Sequence, residues 1–414
     1  MNTTIVLVVV VVFAFVAGRL LQRVTGKWAA IPGGAGYLAL GALVGPIGLN
    51  FVDQASLDHL QPLVSLLLGL LGFDVGLMLR SRMGDTSTLP ARLLATAVVI
   101  GLVGGGIFAA VTLGFPEAAL DLRISASATL GLAAAVASVS GIERMAAGLN
   151  AGGWVTQSLV SFALIGEVLA ILGFGVVSAG VRAENVAIRW LGELTTTEWL
   201  ASSAAVGLVC GLLFTAFIGR ETASPRIFLA TVGSVIFTSG MASGLGVSPL
   251  FVNLIAGATV ALLSSRAQFL VGVVHKLEHP VLVVLLVLAG AMWSPAPLWL
   301  WGLVPLYVVL RFVGIRVGSA LALTTLTERP PARGFGSGLM APGAVSVAIA
   351  INLAQLQPSL APTILTTLLV AFVVQEVLAG RLLRRVLGDA EEIGRGAEQL
   401  VDVSDTAAAE GVAE

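Results

Sequence analysis

The sequence predicts an all-α polytopic membrane protein with about thirteen transmembrane helices. Three observations predict it. The 414 residues are 57% hydrophobic and only 11% charged, against about 25% charged in a soluble domain. Apolar stretches long enough to cross a bilayer recur along the chain, each near the roughly 20 residues that a span needs. The basic residues fall almost entirely on one side of the topology that this count implies.

Taken in order, the spans centre near residues 12, 39, 70, 102, 137, 168, 208, 236, 256, 286, 310, 344 and 373. The first (MNTTIVLVVV onward) lacks a basic start and an A-x-A-like cleavage site, so it reads as a membrane helix and not as a signal peptide. With the N-terminus outside, seventeen Lys and Arg fall on the cytoplasmic side, among them Arg80, Arg82, Arg144, Lys276, Arg381, Arg384 and Arg385. Three (Arg123, Arg182 and Arg189) fall outside. A miscounted helix would scramble that asymmetry. The remaining pair, Arg311 and Arg316, lies inside the eleventh span. The tryptophans sit at span ends or in short loops, where an amphipathic ring prefers to be. The expected organisation is a transporter domain over 1–387 and an acidic, disordered cytoplasmic tail over 388–414. The expected location is a plasma membrane, crossed many times, with the C-terminus inside, in a bacterial cell.

Composition also excludes. A net charge of −1 argues against a nucleic-acid partner. Cys210, the single cysteine, has no partner for an internal disulfide. No H-E-x-x-H, Cys/His cluster or G-x-x-x-x-G-K occurs, so neither an intramembrane enzyme nor a bound cofactor is expected.

Four departures from a plain apolar helix share one depth. Glu167 falls at the middle of the sixth span and Arg311 at the middle of the eleventh. The fifth span is interrupted at Ser138-Val139-Ser140-Gly141, and the twelfth at Ala341-Pro342-Gly343-Ala344. A Pro-Gly pair can be only a kink, and small residues can be only packing. An ionised group at mid-membrane costs on the order of 3 kcal/mol, so a function is its default reading. A buried Glu167–Arg311 pair that merely fastens two helices is the bland alternative. Secondary transporters place broken helices at the midplane so that half-helix ends face the substrate. The fifth and twelfth spans run in opposite directions, so two crossed discontinuous helices are expected. Gly166-Glu167-Val168-Leu169-Ala170 recurs as Gln375-Glu376-Val377-Leu378-Ala379 seven spans later. Seven is odd, so the copies point in opposite directions, as inverted repeats do.

These motifs carry a resemblance. Gly36 to Leu49 (GYLALGALVGPIGL) and Leu70 to Leu77 look like the second and third helices of the monovalent cation:proton antiporters, in the bacterial branch of sodium/proton exchangers and potassium-efflux relatives. Ala134 to Arg144, Arg311-Phe312-Val313-Gly314 and Pro342 to Ser346 resemble that family's first broken helix, basic helix and second broken helix. The likeness runs through nearly all of 15–388. It implies an elevator-type fold, usually homodimeric, in which a core sliding against a dimerisation domain exposes one site to each side in turn. It also implies a departure. The family's sixth helix carries Asp-Asp or Asn-Asp, and here Glu167 takes the second, ion-binding position while Gly166 takes the first.

The expected function is exchange of a monovalent cation, sodium or potassium, for protons. Desolvation favours the neutral form of an acid, so proton and cation compete for Glu167. Ser138, Ser140 and carbonyls freed at Gly141, Pro342 and Gly343 would add the neutral oxygens that hard cations prefer. Arg311 either pairs with Glu167, or finds Asp74 or a carbonyl, or neutralises the half-helix C-termini across the crossing. Arg316, about 7.5 Å further along, can reach toward the cytoplasm. Asp74 is a candidate for the inner access path, and Glu376 reads as structural. The alternative function is coupled transport of an organic anion on the same scaffold, with Arg311 holding the substrate carboxylate.

Overall fold

A computed structural model describes residues 33–51, 57, 59–82, 86–181, 195–218, 224–326 and 334–395. The described residues are helical, with no strand among them. They form α1 (Gly33–Val44), α2 (Gln61–Arg82), α3 (Leu89–Gly114), α4 (Leu120–Ala135), α5 (Val139–Gly148), α6 (Trp154–Gly180) and α7 (Thr196–Ile218). They continue with α8 (Ser224–Leu245), α9 (Pro249–Leu263), α10 (Ala267–Met292), α11 (Leu303–Leu326), a 3-10 turn (Phe335–Met340), α12 (Ala344–Leu356) and α13 (Ala361–Asp389).

Among these residues nine helical runs are long and apolar enough to span a bilayer, and three shorter apolar helices stand beside them. Each run or short helix answers one of the expected spans from the second to the thirteenth. The first, centred near residue 12, lies outside the described residues.

Two sets of helices are distinguishable by their neighbours. α1, α2, α8, α9 and α10 pack mainly on one another. So do α3 to α6 with α11, the 3-10 turn, α12 and α13. Small residues set how closely the first set approaches. A Cβ on Gly72 of α2 would stand 2.1 Å from the Leu250 carbonyl oxygen of α9. A Cβ on Gly257 of α9 would stand 2.3 Å from that of Phe73. Backbone therefore touches backbone, the contact that small residues permit between membrane helices.

Both expected interruptions are present. The chain leaves α4 at Val136 in extended conformation and re-enters helix after Ser138, also extended. The gap therefore sits slightly before its expected position, and Gly141 lies inside the first turn of α5. The cause is a helix cap: the Ser138 hydroxyl accepts the Gly141 N–H at 3.0 Å and so starts α5 early. In the twelfth span the 3-10 turn ends at extended Ala341, and extended Gly343 precedes α12. The breaks are joined directly, since the Ser138 N–H donates to the Ala341 carbonyl at 3.0 Å.

α10 begins at Ala267 and carries Lys276 and Pro280 within it. One expectation needs correction. The tail is not disordered from residue 388. α13 runs to Asp389, and the buried Glu392 folds back onto the start of α6. Its carboxylate accepts the N–H groups of Val155 at 2.6 Å and Thr156 at 2.9 Å. Those amides have no partner within their own helix. Residues 396–414 lie outside the described residues.

Candidate ion site at the crossed helices

α6 carries Glu167 between the two breaks. The side chain is 5% exposed. The Val139 backbone, at the first turn of α5, stands beside it. On the other side, its Oε1 lies 3.1 Å from where a Cβ on Gly343 would stand. A larger residue at Gly343 would crowd the carboxylate.

Gly166 is explained by the same packing. A Cβ there would fall 2.4 Å from the Ala135 carbonyl oxygen, at the end of α4. The half-helix terminus occupies the space that a first acid would need.

Among the described residues Arg311 is the largest fully buried side chain, at 1% exposure. Its guanidinium does not turn to Glu167. Nε donates to the Ala134 carbonyl at 2.9 Å and Nη2 to that of Val136 at 2.5 Å. Nη1 donates to the Gln375 side-chain oxygen of α13. A cation thus sits on the negative end of α4, where orphan carbonyls and the helix dipole favour it. Of the alternatives that the sequence leaves open, this is the half-helix terminus.

The serines are engaged. Ser138 caps α5, and its oxygen lies 3.4 Å from that of Ser140. Ser140 donates to Glu278 Oε1 at 2.6 Å. Glu278 stands on α10 with His275, whose Nδ1 is 3.4 Å from Asp74 Oδ2. Glu278, Asp74 and His275 all lie within electrostatic reach of Glu167.

Glu167, Ser138, Ser140, Gly141, Gly343 and Asp74 are thus brought into one neighbourhood, with Pro342 in the second break. Arg311 stands behind it at the end of α4. Arg316 does not join: it is exposed, with its guanidinium 5.4 Å from the Phe312 ring centroid. Glu376 accepts the Gly34 N–H at 3.1 Å, which places it at the start of α1. Sequence reasoning missed His275 and Glu278. The signal was there, since His275-Lys276-Leu277-Glu278-His279 packs four ionisable residues just before a proline. A run of that kind reads as a loop.

The sodium/hydrogen exchanger transmembrane family matches residues 6–387. The chain belongs to that family. It is therefore a member of a family of membrane transporters. The exchanger's fold is similar to that of the sodium proton antiporter MjNhaP1 from Methanocaldococcus jannaschii. Against the structure of that protein at pH 8 the TM-score is 0.64 at 16% identity, over 93% of this chain and 100% of the other. An electron-microscopy structure of MjNhaP1 gives 0.64 at 16% identity, over 97% and 99%. No curated protein sequence matches the exchanger significantly.

Proposed function

We propose that the exchanger swaps a monovalent cation, sodium or potassium, for protons at Glu167 by alternating access. One observation carries the reading: Arg311 spends its hydrogen bonds on Ala134, Val136 and Gln375. An arginine stays charged in proteins. Paired with Glu167, it would hold the carboxylate ionised and exclude a cation. Placed on the α4 terminus, it stabilises the break and leaves Glu167 to its exchangeable partner.

Cation and proton then compete for one buried carboxylate, and each leaves as the other binds. Carbonyls of the joined breaks, next to the Gly343 position that faces Glu167, would supply neutral oxygens. The two helix sets are the bodies that move past each other. Ser140–Glu278 is a contact between them that the movement must break. The working unit is a homodimer in a plasma membrane, with the N-terminus outside and the C-terminus inside. The same guanidinium geometry argues against organic-anion transport, because three nitrogens of Arg311 are already engaged and the residue is 1% exposed.

The test is pH-gradient dissipation in everted vesicles on addition of sodium, potassium or lithium. The wild type gives a cation-dependent signal and Glu167→Gln gives none. No response to any of the cations, or equal responses from the two proteins, sinks the reading.

A further inference from the structure

We propose that Asp74, His275 and Glu278 form a binding site for a divalent transition-metal ion of the zinc class. Their ligand atoms all lie within 4.8 Å of one another. His275 Nδ1 stands 3.4 Å from Asp74 Oδ2 and 3.3 Å from Glu278 Oε2. Metal–nitrogen and metal–oxygen bonds in zinc sites are about 2.0–2.2 Å. The edge of a tetrahedron is about 1.63 times the centre-to-vertex distance, so two such ligands stand about 3.3–3.6 Å apart. Both contacts fall in that range. They are also longer than the roughly 2.7–2.9 Å of a charge-assisted hydrogen bond. The imidazole is spaced for a shared ion more than for a direct pair.

A second observation points the same way. Asp74 is 3% exposed, yet its Oδ1 is buried without a hydrogen-bond partner, and so is Glu278 Oε2. Buried carboxylate oxygens are normally satisfied. A cation between them would satisfy both.

The surroundings are those of a metal site. A ligating histidine usually directs its other ring nitrogen at a carboxylate, and a ligating carboxylate is itself held by a donor. His275 Nε2 faces Glu143 Oε2 at 3.7 Å, and Glu143 is held by Arg82 at 2.8 Å. The free oxygen of Glu278 accepts from Ser140 at 2.6 Å. One imidazole and two carboxylates suit zinc, cobalt or manganese. Sodium, potassium and magnesium prefer oxygen alone. His275, with its side chain 25% exposed, is the open side of the cluster. The site would tie α2 to α10, with α5 supplying a donor in Ser140 and an acceptor in Glu143.

The experiment is metal binding by the full-length protein in detergent, stripped of metal and of any histidine tag. Cobalt is the spectroscopic probe and zinc the competitor. One cobalt per chain is expected, with visible ligand-field absorption that zinc abolishes and a thermal stabilisation that grows with metal concentration. His275→Ala removes both signals. Glu143→Gln keeps the ligands, and weakens affinity about 10–100-fold. Absence of binding to the wild type overturns the proposal, whether or not the protein exchanges ions. So does undiminished binding in His275→Ala. If His275→Ala does not fold, Glu143→Gln decides, and unchanged affinity there overturns the proposal.

Discussion

Arg311 hydrogen-bonds to Gln375, and Gln375 is the residue that the internal echo aligns with Gly166. In two-carboxylate relatives, the resemblance implies, an acid of the sixth helix meets the basic residue of the eleventh. Here the glutamine of the opposite repeat meets it, together with two carbonyls of α4. The basic residue and Glu167 do not pair, although both are buried and both border the same broken helix.

Arg311 should therefore matter first to stability. Arg311→Ala leaves two buried carbonyls and Gln375 without their donor, at about 1–3 kcal/mol for each unsatisfied group. Arg311→Lys restores the charge but not the planar fork, so it should fall between alanine and wild type. Thermal denaturation in detergent orders the three proteins. An alanine variant as stable as wild type contradicts the assignment.

Glu167 should matter to transport instead. Glu167→Gln is expected to fold, since amide and carboxylate are nearly the same size, and to lose cation-dependent exchange. Glu167→Asp withdraws the carboxylate by one methylene from Gly343 and should keep a slower exchange. Melting temperature and initial rate, measured on the same preparations, separate the two roles.

Restoring the relatives' acid should fail. A Cβ on Gly166 would fall 2.4 Å from the Ala135 oxygen. Gly166→Ala already overpacks the site, at about 1–3 kcal/mol, and Gly166→Asp adds an unpaired charge. Both should lower the melting temperature and the yield of monodisperse protein. A Gly166→Asp variant that folds normally and exchanges faster refutes this reading.

The end of the chain gives a fourth outcome. Ending the protein after residue 395 keeps the Glu392 cap on α6 and should leave the melting temperature unchanged. Ending it after residue 388 removes the cap. The loss should be about 1–2 kcal/mol, the upper part of the range for a helix cap. Glu392→Ala in the full chain should reproduce most of that loss.

The second to thirteenth spans, the two breaks and the burial of Glu167 were legible in the sequence because each rests on composition at a known depth. Hydrocarbon makes every buried charge and every helix break conspicuous. Arg311 was legible as a residue but not as a contact. Its partners are backbone carbonyls, and carbonyls leave no mark in a sequence. His275 and Glu278 were obscured for another reason. A charged run near a helix end signals a loop when each residue is weighed alone. Asp74, which turns His275 inward, lies 201 residues away along the chain. Glu392 went unread because one buried acid beside the exposed Asp389 and Glu391 has no local signature.

The backbone contact between α2 and α9 constrains what can move. Gly72 and Gly257 leave no side chain between the helices to act as a bearing, so α2 cannot turn about its own axis without colliding with α9. Asp74 follows Gly72 by two residues and inherits that fixity. It keeps its place relative to α9. In the proposed exchange cycle, a change in its distance from Glu167 therefore reports movement of α6 against the α2–α9 pair.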